Sequence, residues 1–194
     1  TGSPSSDFGT EITIADLDGD GYDDVMIGAP KEDGVVSDVG AIYAYSGGQV
    51  QSGFTHQDAD LRIVGGSNIG SANLGGAIAA EDIDGDGYPD ILVGGYGASI
   101  PNTQTGMVYL WSGSSAVFAS IAERSFDDAS AAFTGENTSD WLGYSLAAGD
   151  MDGDGASEFA IGAPLADSST WSGGSVFLLE GGSYSGTQSI SAAA

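Results

Sequence analysis

The sequence predicts an all-β chain: three four-stranded antiparallel sheets arranged as the blades of a partial β-propeller, or of a propeller completed by other copies. Three observations point there. The 194 residues carry one acidic nine-residue stretch three times, as DLDGDGYDD at 16–24, DIDGDGYPD at 82–90 and DMDGDGASE at 150–158. Short apolar segments recur at fixed offsets from each stretch. No segment carries the 3.6-residue period of an amphipathic helix. Self-similarity at a long, constant period is the mark of small units that stack to bury a continuous core.

The elements follow in order from the first Asp of each stretch: Asp16, Asp82 and Asp150, spaced by 66 and 68 residues. Eight residues upstream stand an apolar residue and a glycine, Phe8-Gly9, Leu74-Gly75 and Leu142-Gly143. A short apolar run then leads into the loop (ITIAD, AIAAED, SLAAGD), and another leaves it (VMIGAP, ILVGGY, FAIGAP). The second run places a glycine at offset 12 each time: Gly28, Gly94 and Gly162. A third run opens on a glycine at offset 24, as GAIYAYSGG from Gly40, GMVYLWSG from Gly106 and GSVFLLEGG from Gly174. A fourth precedes the next repeat, ADLRIVGG at 59–66 and ASAAFTG at 129–135. All are short, rich in β-branched and aromatic residues, and bounded by Gly, Pro, Asp or Ser, so they read as strands. AIYAY and MVYLW are apolar throughout, which predicts burial on both faces. The chain is therefore one repeat domain over 1–194. Blade 1 covers 8–58, blade 2 covers 59–128, blade 3 covers 129–188, and a C-terminal strand covers 189–194.

Composition bounds the function. Twenty-eight acidic residues against three basic ones give a formal charge of −25. Such a surface repels phosphate backbones and anionic lipid, so nucleic acid is excluded as a partner and cations are favoured. A hydrophobic content of 41% separates the chain from a disordered acidic tail. Without cysteine there is no disulfide, thiolate metal site or thiol catalysis. No apolar run is long enough for a membrane-spanning helix, so no membrane insertion is expected. The sequence starts at Thr1 without a signal peptide and reads as a processed or excised product.

Carboxylates packed this densely repel one another unless something holds them. At positions 1, 3 and 5 of a tight loop they turn toward one centre, and glycine at position 6 permits the turn that brings position 7 round. A hard cation taking six to eight oxygens satisfies the set, and calcium fits better than the smaller, stricter magnesium. The expected ligands of the first site are Asp16, Asp18, Asp20, the carbonyl of Tyr22, and Asp24. Those of the second are Asp82, Asp84, Asp86, the Tyr88 carbonyl, and Asp90. Those of the third are Asp150, Asp152, Asp154, the Ala156 carbonyl, and Glu158. Asp23, at position 8, points away. An EF-hand needs Glu at position 12, where this chain has Ile27, Val93 and Ile161, so helix–loop–helix sites are excluded. Three structural Ca²⁺ would engage 12 of the 28 acids and bring the formal charge from −25 to −19.

Other residues carry weaker signals. His56 is the single histidine and reads as a loop residue, so no nucleophile–His–Asp set can be built. Asp127 and Asp128 are the carboxylate pair on which a polysaccharide-active enzyme would have to rest. Tyr43, Tyr45, Tyr109, Trp111 and Phe177 read as core, whereas Trp141 and Trp171 lie near loops where they can line a binding surface. Asn137 heads an Asn-Thr-Ser acceptor for N-linked sugar, and the Ser/Thr-rich loops offer sites for O-linked sugar.

The stretches FG…DLDGDGYDDVMIGAP, LGGAIAAEDIDGDGYPDILVGG and LGYSLAAGDMDGDGASEFAIGAP resemble the FG-GAP repeat, the blade unit of the integrin α-subunit propeller and of related bacterial and archaeal surface proteins. The resemblance spans about 170 residues. Repeat 2 departs with GGY in place of GAP, and repeat 3 with Glu158 at loop position 9. The resemblance implies a propeller with calcium in a loop between two strands of each blade, and an extracellular or cell-surface location. It also implies a non-catalytic role in adhesion or protein–protein interaction, toward a protein or glycan ligand. Family propellers typically carry seven blades, so three repeats leave open sheet faces. That raises a second reading: a self-assembling protein of an extracellular fibre or surface layer, whose subunits complete each other's blades by exchanging the terminal strand.

Overall fold

A computed structural model describes residues 5–34, 36–48, 53, 55–66, 69–99, 103–118, 123–168 and 171–190. Blade 1 contains β1 (Ile12–Ala15), β2 (Asp24–Ala29), β3 (Ala41–Tyr45) and β4 (Leu61–Val64) in an antiparallel meander. Blade 2 repeats it with β5 (Ala77–Glu81), β6 (Asp90–Gly95), β7 (Met107–Trp111) and β9 (Ala131–Gly135). Blade 3 has three strands, β10 (Ser145–Gly149), β11 (Glu158–Ala163) and β14 (Ser175–Leu179). A two-residue ladder, β12 (Asp167–Ser168) with β13 (Trp171–Ser172), lies between the last two. The described residues contain no α-helix, only a 3₁₀ turn at Phe126–Asp128. None of their helices is long and apolar enough to cross a membrane.

Pairing places the fourth strands one unit earlier than the sequence partition. Leu61–Val64, assigned to blade 2 by the 59–128 boundary, pairs with β3 and completes blade 1; Ala131–Gly135 likewise completes blade 2. Sequence adjacency to the next repeat hid this, because the connection from third to fourth strand is long and makes a detour. Within that detour β8 (Glu123–Ser125) runs parallel along β4 of the preceding blade. The corresponding segment after β14, β15 (Gly186–Ile190), runs parallel along β9. Blades 1 and 2 are thus five-stranded rather than four-stranded, each stitched to its successor by a returning strand. The expected C-terminal strand at 189–194 lies earlier, at 186–190, and is paired within the chain; residues 191–194 are outside the described set.

The stitch at β8 is ionic. Arg62 on β4 reaches Glu123 on β8, donates to Glu32 at 3.2 Å, and donates through Nε to the Tyr43 hydroxyl at 3.2 Å. Glu32 is buried, and the guanidinium is its ionic partner there.

Residues opposite one another across a sheet share a face, and each face packs on its neighbour. Between blades 1 and 2 lie Met26, Ile42, Leu61 and Ile63 against Ile78, Val93, Tyr109 and Phe126. Between blades 2 and 3 lie Leu92, Val108, Leu110 and Phe133 against Phe159 and Ile161. AIYAY and MVYLW are buried at every position, as their apolar runs predict. Tyr43, Tyr45, Tyr109 and Trp111 are all core.

The repeated glycine at offset 12 has a packing cause. A Cβ built on Gly28 falls 1.9 Å from the Gly75 carbonyl oxygen of the next blade, and one on Gly94 falls 2.1 Å from that of Gly143. The next blade's backbone fills the space that a side chain would need. Neighbouring blades are also joined by backbone bonds, Leu74 N–H to the Val39 carbonyl and Leu142 N–H to the Thr105 carbonyl, both 3.1 Å.

Candidate metal centres

The acidic loops join the first and second strands of each blade: β1 to β2, β5 to β6, and β10 to β11. Glycines at positions 4 and 6 take left-handed backbone throughout, with φ of +73° and +92° in loop 1, +76° and +92° in loop 2, and +81° and +96° in loop 3. This curls the chain around its first carboxylate. Asp16 accepts from Asp20 N–H (3.1 Å) and Gly21 N–H (2.9 Å). Asp82 accepts from Gly85 (2.8 Å), Asp86 (3.0 Å) and Gly87 (2.8 Å). Asp150 accepts from Gly153 (2.7 Å) and Gly155 (3.2 Å). The position-5 carboxylates turn onto the next amide but one, Asp20 to Tyr22, Asp86 to Tyr88 and Asp154 to Ala156, at 2.8–2.9 Å.

In each loop, carboxylate oxygens of three acids converge within 4.8 Å of one another. They are Asp16, Asp18 and Asp24 in loop 1, Asp82, Asp84 and Asp86 in loop 2, and Asp150, Asp152 and Glu158 in loop 3. Of the expected ligands, Asp20, Asp90 and Asp154 stand beside these triplets, held by the hydrogen bonds of the loop. The position-7 residues diverge. Tyr22 is exposed, Tyr88 lays its ring over Gly19 of the preceding loop, and the Ala156 methyl lies near Gly85 and Gly181.

Position 9 does more than face a centre. Asp24 is fully buried and accepts from Leu17 N–H (2.8 Å) and from Gly47 N–H (2.7 Å) at the end of β3. Asp90 repeats this with Ile83 (3.0 Å) and Gly113 (2.7 Å). The carboxylate therefore ties the loop to the third strand of its blade. Glu158 keeps the first bond, to Met151 N–H at 2.7 Å. The glycines at offset 31 (Gly47, Gly113, Gly181) carried this signal in the sequence, and the expected ligand set missed it. Burial pushes the Asp24 carboxyl up from its usual range and Asp90 up to about 6, against the pull of these amides. Burial and then the charge of Asp86 raise Asp84. Clustered, partly desolvated carboxylates lacking a counter-charge are what a hard cation stabilises.

The two roles separate by mutation. In metal-free protein, Asp24→Ala leaves the Leu17 and Gly47 amides unpaired and is expected to cost about 2–4 kcal/mol in urea unfolding. Asp18→Ala removes a repelling charge and one exposed bond from the Asp20 N–H (3.1 Å), an amide that Asp16 also accepts, and is expected to be close to neutral there. Equal costs in metal-free protein would contradict the clamp assigned to Asp24.

Elsewhere, Trp141 adopts φ of +57°, unusual for a bulky residue, and its ring stacks on Tyr144 at 6.0 Å and meets Tyr96 at 5.6 Å. The Trp171 side chain lies outside the described set. Asn137 is exposed. His56 meets the Tyr43 ring edge-on at 6.3 Å. Asp128 accepts from Ser125 N–H (3.2 Å) as the cap of the 3₁₀ turn.

Stacked small sheets, each with a conserved geometry of acidic loop between its first two strands, define a blade-repeat protein of the β-propeller class. The FG-GAP repeat matches three times, at residues 8–45, 74–111 and 142–179, and the chain belongs to that family. Bovine (Bos taurus) phosphatidylinositol-glycan-specific phospholipase D is 32% identical over 171 residues, covering 84% of this chain and 19% of that protein. Chicken (Gallus gallus) integrin alpha-6 is 32% identical over 170 residues, covering 84% and 14%. Drosophila melanogaster integrin alpha-PS3 is 33% identical over 165 residues, covering 82% and 14%. The chain thus spans less than a fifth of the length of these relatives.

Proposed function

We propose that this chain is a non-catalytic, calcium-stabilised propeller module that acts outside the cell or at its surface by binding protein or glycan partners. The observation that carries the reading is the threefold convergence of carboxylate oxygens in loops of one geometry. Backbone amides hold the first acid of each loop, and a cation is what offsets the repulsion of three like charges brought within 4.8 Å of one another, in register, three times. The donor set is all oxygen, which suits calcium. Asp16, Asp82 and Asp150 anchor the three sites. Position-3 and position-5 carboxylates, the carbonyls of Tyr22, Tyr88 and Ala156, and the position-9 acids complete them. The ion offsets the charge repulsion and fixes each loop to its blade.

The interaction role rests on membership of a repeat family shared with integrin α chains. Against catalysis, Asp128 is engaged as a helix cap and His56 packs on Tyr43. Against strand exchange, Gly186–Ile190 is paired in its own chain.

Calcium binding is tested by equilibrium dialysis of the metal-free protein. Three ions per chain are expected, and two for Asp84→Asn. Fewer than one ion per chain at millimolar calcium would sink the reading.

A further inference from the structure

We propose that the calcium sites of loops 2 and 3 fill cooperatively, because a relay of backbone hydrogen bonds runs from a ligand of one to a ligand of the other. The inference rests on the calcium reading above and adds that the sites are coupled. The relay starts at position 7 of loop 3, where the Ala156 carbonyl is expected on the ion. A planar trans peptide holds its N–H opposite its carbonyl. The N–H of that same peptide, on Ser157, donates to the Asp82 carbonyl of loop 2 at 2.7 Å. The N–H at the far side of the Asp82 peptide, on Ile83, donates in turn to the Asp90 carboxylate at 3.0 Å. A second bond runs beside the first, from Gly182 N–H to the Ile83 carbonyl at 2.6 Å. Gly182 follows Gly181, on which a Cβ would fall 2.7 Å from the Ala156 carbonyl oxygen. Asp82 and Asp84, two of the three acids that converge in loop 2, flank Ile83, so blade 3 grips the segment that spaces them. Ser157 is 4% exposed, which keeps water from competing for the bond.

Loops 1 and 2 lack this relay. Position 8 of loop 2 is Pro89, which has no N–H to give the Asp16 carbonyl. The contact there is the Tyr88 ring over Gly19. Site 1 therefore fills on its own curve, while sites 2 and 3 act as a pair. Binding that orders one loop lowers the ordering cost of a loop tied to it, and the effect is reciprocal. Charge alone acts with the opposite sign. Loop 3 carries four acids, so a filled loop keeps a formal −2, whereas an empty loop with Asp152→Asn keeps −3. By charge, loop 2 beside that empty loop attracts calcium more strongly. Through the relay it binds calcium more weakly, so the direction of the change separates the two effects.

A calcium titration followed by nitrogen–proton NMR tests it. Each loop reports through the amide of its position-6 glycine, Gly21, Gly87 or Gly155, which donates to the first carboxylate of that loop. In the wild type, Gly87 and Gly155 are expected to shift over one common, steepened calcium range, and Gly21 over its own. Asp152→Asn is expected to raise the calcium midpoint at Gly87 by at least about 5-fold and to leave Gly21 within about 2-fold. Asp84→Asn is expected to raise the midpoint at Gly155 by the same factor, as linkage requires. Ser157→Pro deletes the donor and puts at position 8 the residue that loop 2 already accommodates. Three ions still bind to it, and adding Asp152→Asn then moves Gly87 by no more than about 2-fold. A Gly87 midpoint unmoved or lowered by Asp152→Asn, while three ions bind the wild type, would overturn the coupling and leave the calcium sites standing. So would a rise that Gly21 shares, or one that survives Ser157→Pro. A chain that binds no calcium, with all three amides unmoved, would overturn the calcium reading and this inference together.

Discussion

Chelating calcium is expected to lower the unfolding temperature of this protein by on the order of 15–30 °C. An ion that binds only the folded state adds about 2.7 kcal/mol when its free concentration is 100 times its dissociation constant. Three loops together then supply about 8 kcal/mol, comparable with the whole stability of an ordinary domain. For a chain of this size each kcal/mol moves the midpoint by roughly 2–4 °C. Calcium also relieves the self-repulsion of a chain whose formal charge is −25, an effect that sodium or magnesium at matched ionic strength reproduces only through screening. Differential scanning calorimetry in calcium and in chelator checks this, and Asp18→Ala is expected to remove about a third of the difference. A melt unchanged by chelator would mean that the loops are solvated turns.

The second large effect is steric. Gly94→Ala places a methyl 2.1 Å from the Gly143 carbonyl oxygen, and Gly28→Ala places one 1.9 Å from that of Gly75. Neither neighbour is a flexible side chain that can swing away, so blades must separate at the point where they pack best. Overpacking in a core costs typically about 1–3 kcal/mol when side chains can yield. With backbone on both sides we expect more than about 3 kcal/mol for each, with or without calcium. Gly149→Ala is the control. That glycine lies in β10 with no atom within 4 Å of a built Cβ, and its substitution is expected to be neutral. Urea unfolding of the three variants reads the difference, and similar midpoints would contradict the close approach of the blades.

Repetition made much of this legible in the sequence. A single DLDGDGYDD reads as an acidic turn, but three at constant offset fix the loop, its flanking strands and the glycines that recur for packing. The doubly buried β3 and β7 follow from apolar runs that no amphipathic helix would show. What stayed hidden was non-local. Glu123–Ser125 and Gly186–Ile190 are short and polar, so nothing in their composition announces strands that pair in parallel with a neighbouring blade. That detour also displaced the blade boundaries, because Leu61–Val64 is followed directly by the next repeat yet bonds backward to β3. The second role of Asp24 and Asp90 was missed for the same reason: their partners, Gly47 and Gly113, lie 23 residues away. Trp141 stands where blades 1 and 2 have Asp7 and Asn73, residues that accept left-handed backbone more readily, and the alignment of repeats alone does not reveal its conformation.

The measurement that bears most directly on the calcium assignment is a crystal structure grown in calcium, with anomalous difference density recorded at long wavelength. Three peaks are expected, one among the carboxylates of residues 16–24, one among those of 82–90 and one among those of 150–158, each with six to eight oxygens at about 2.3–2.6 Å. Loops that keep their present geometry without any peak at millimolar calcium would contradict it.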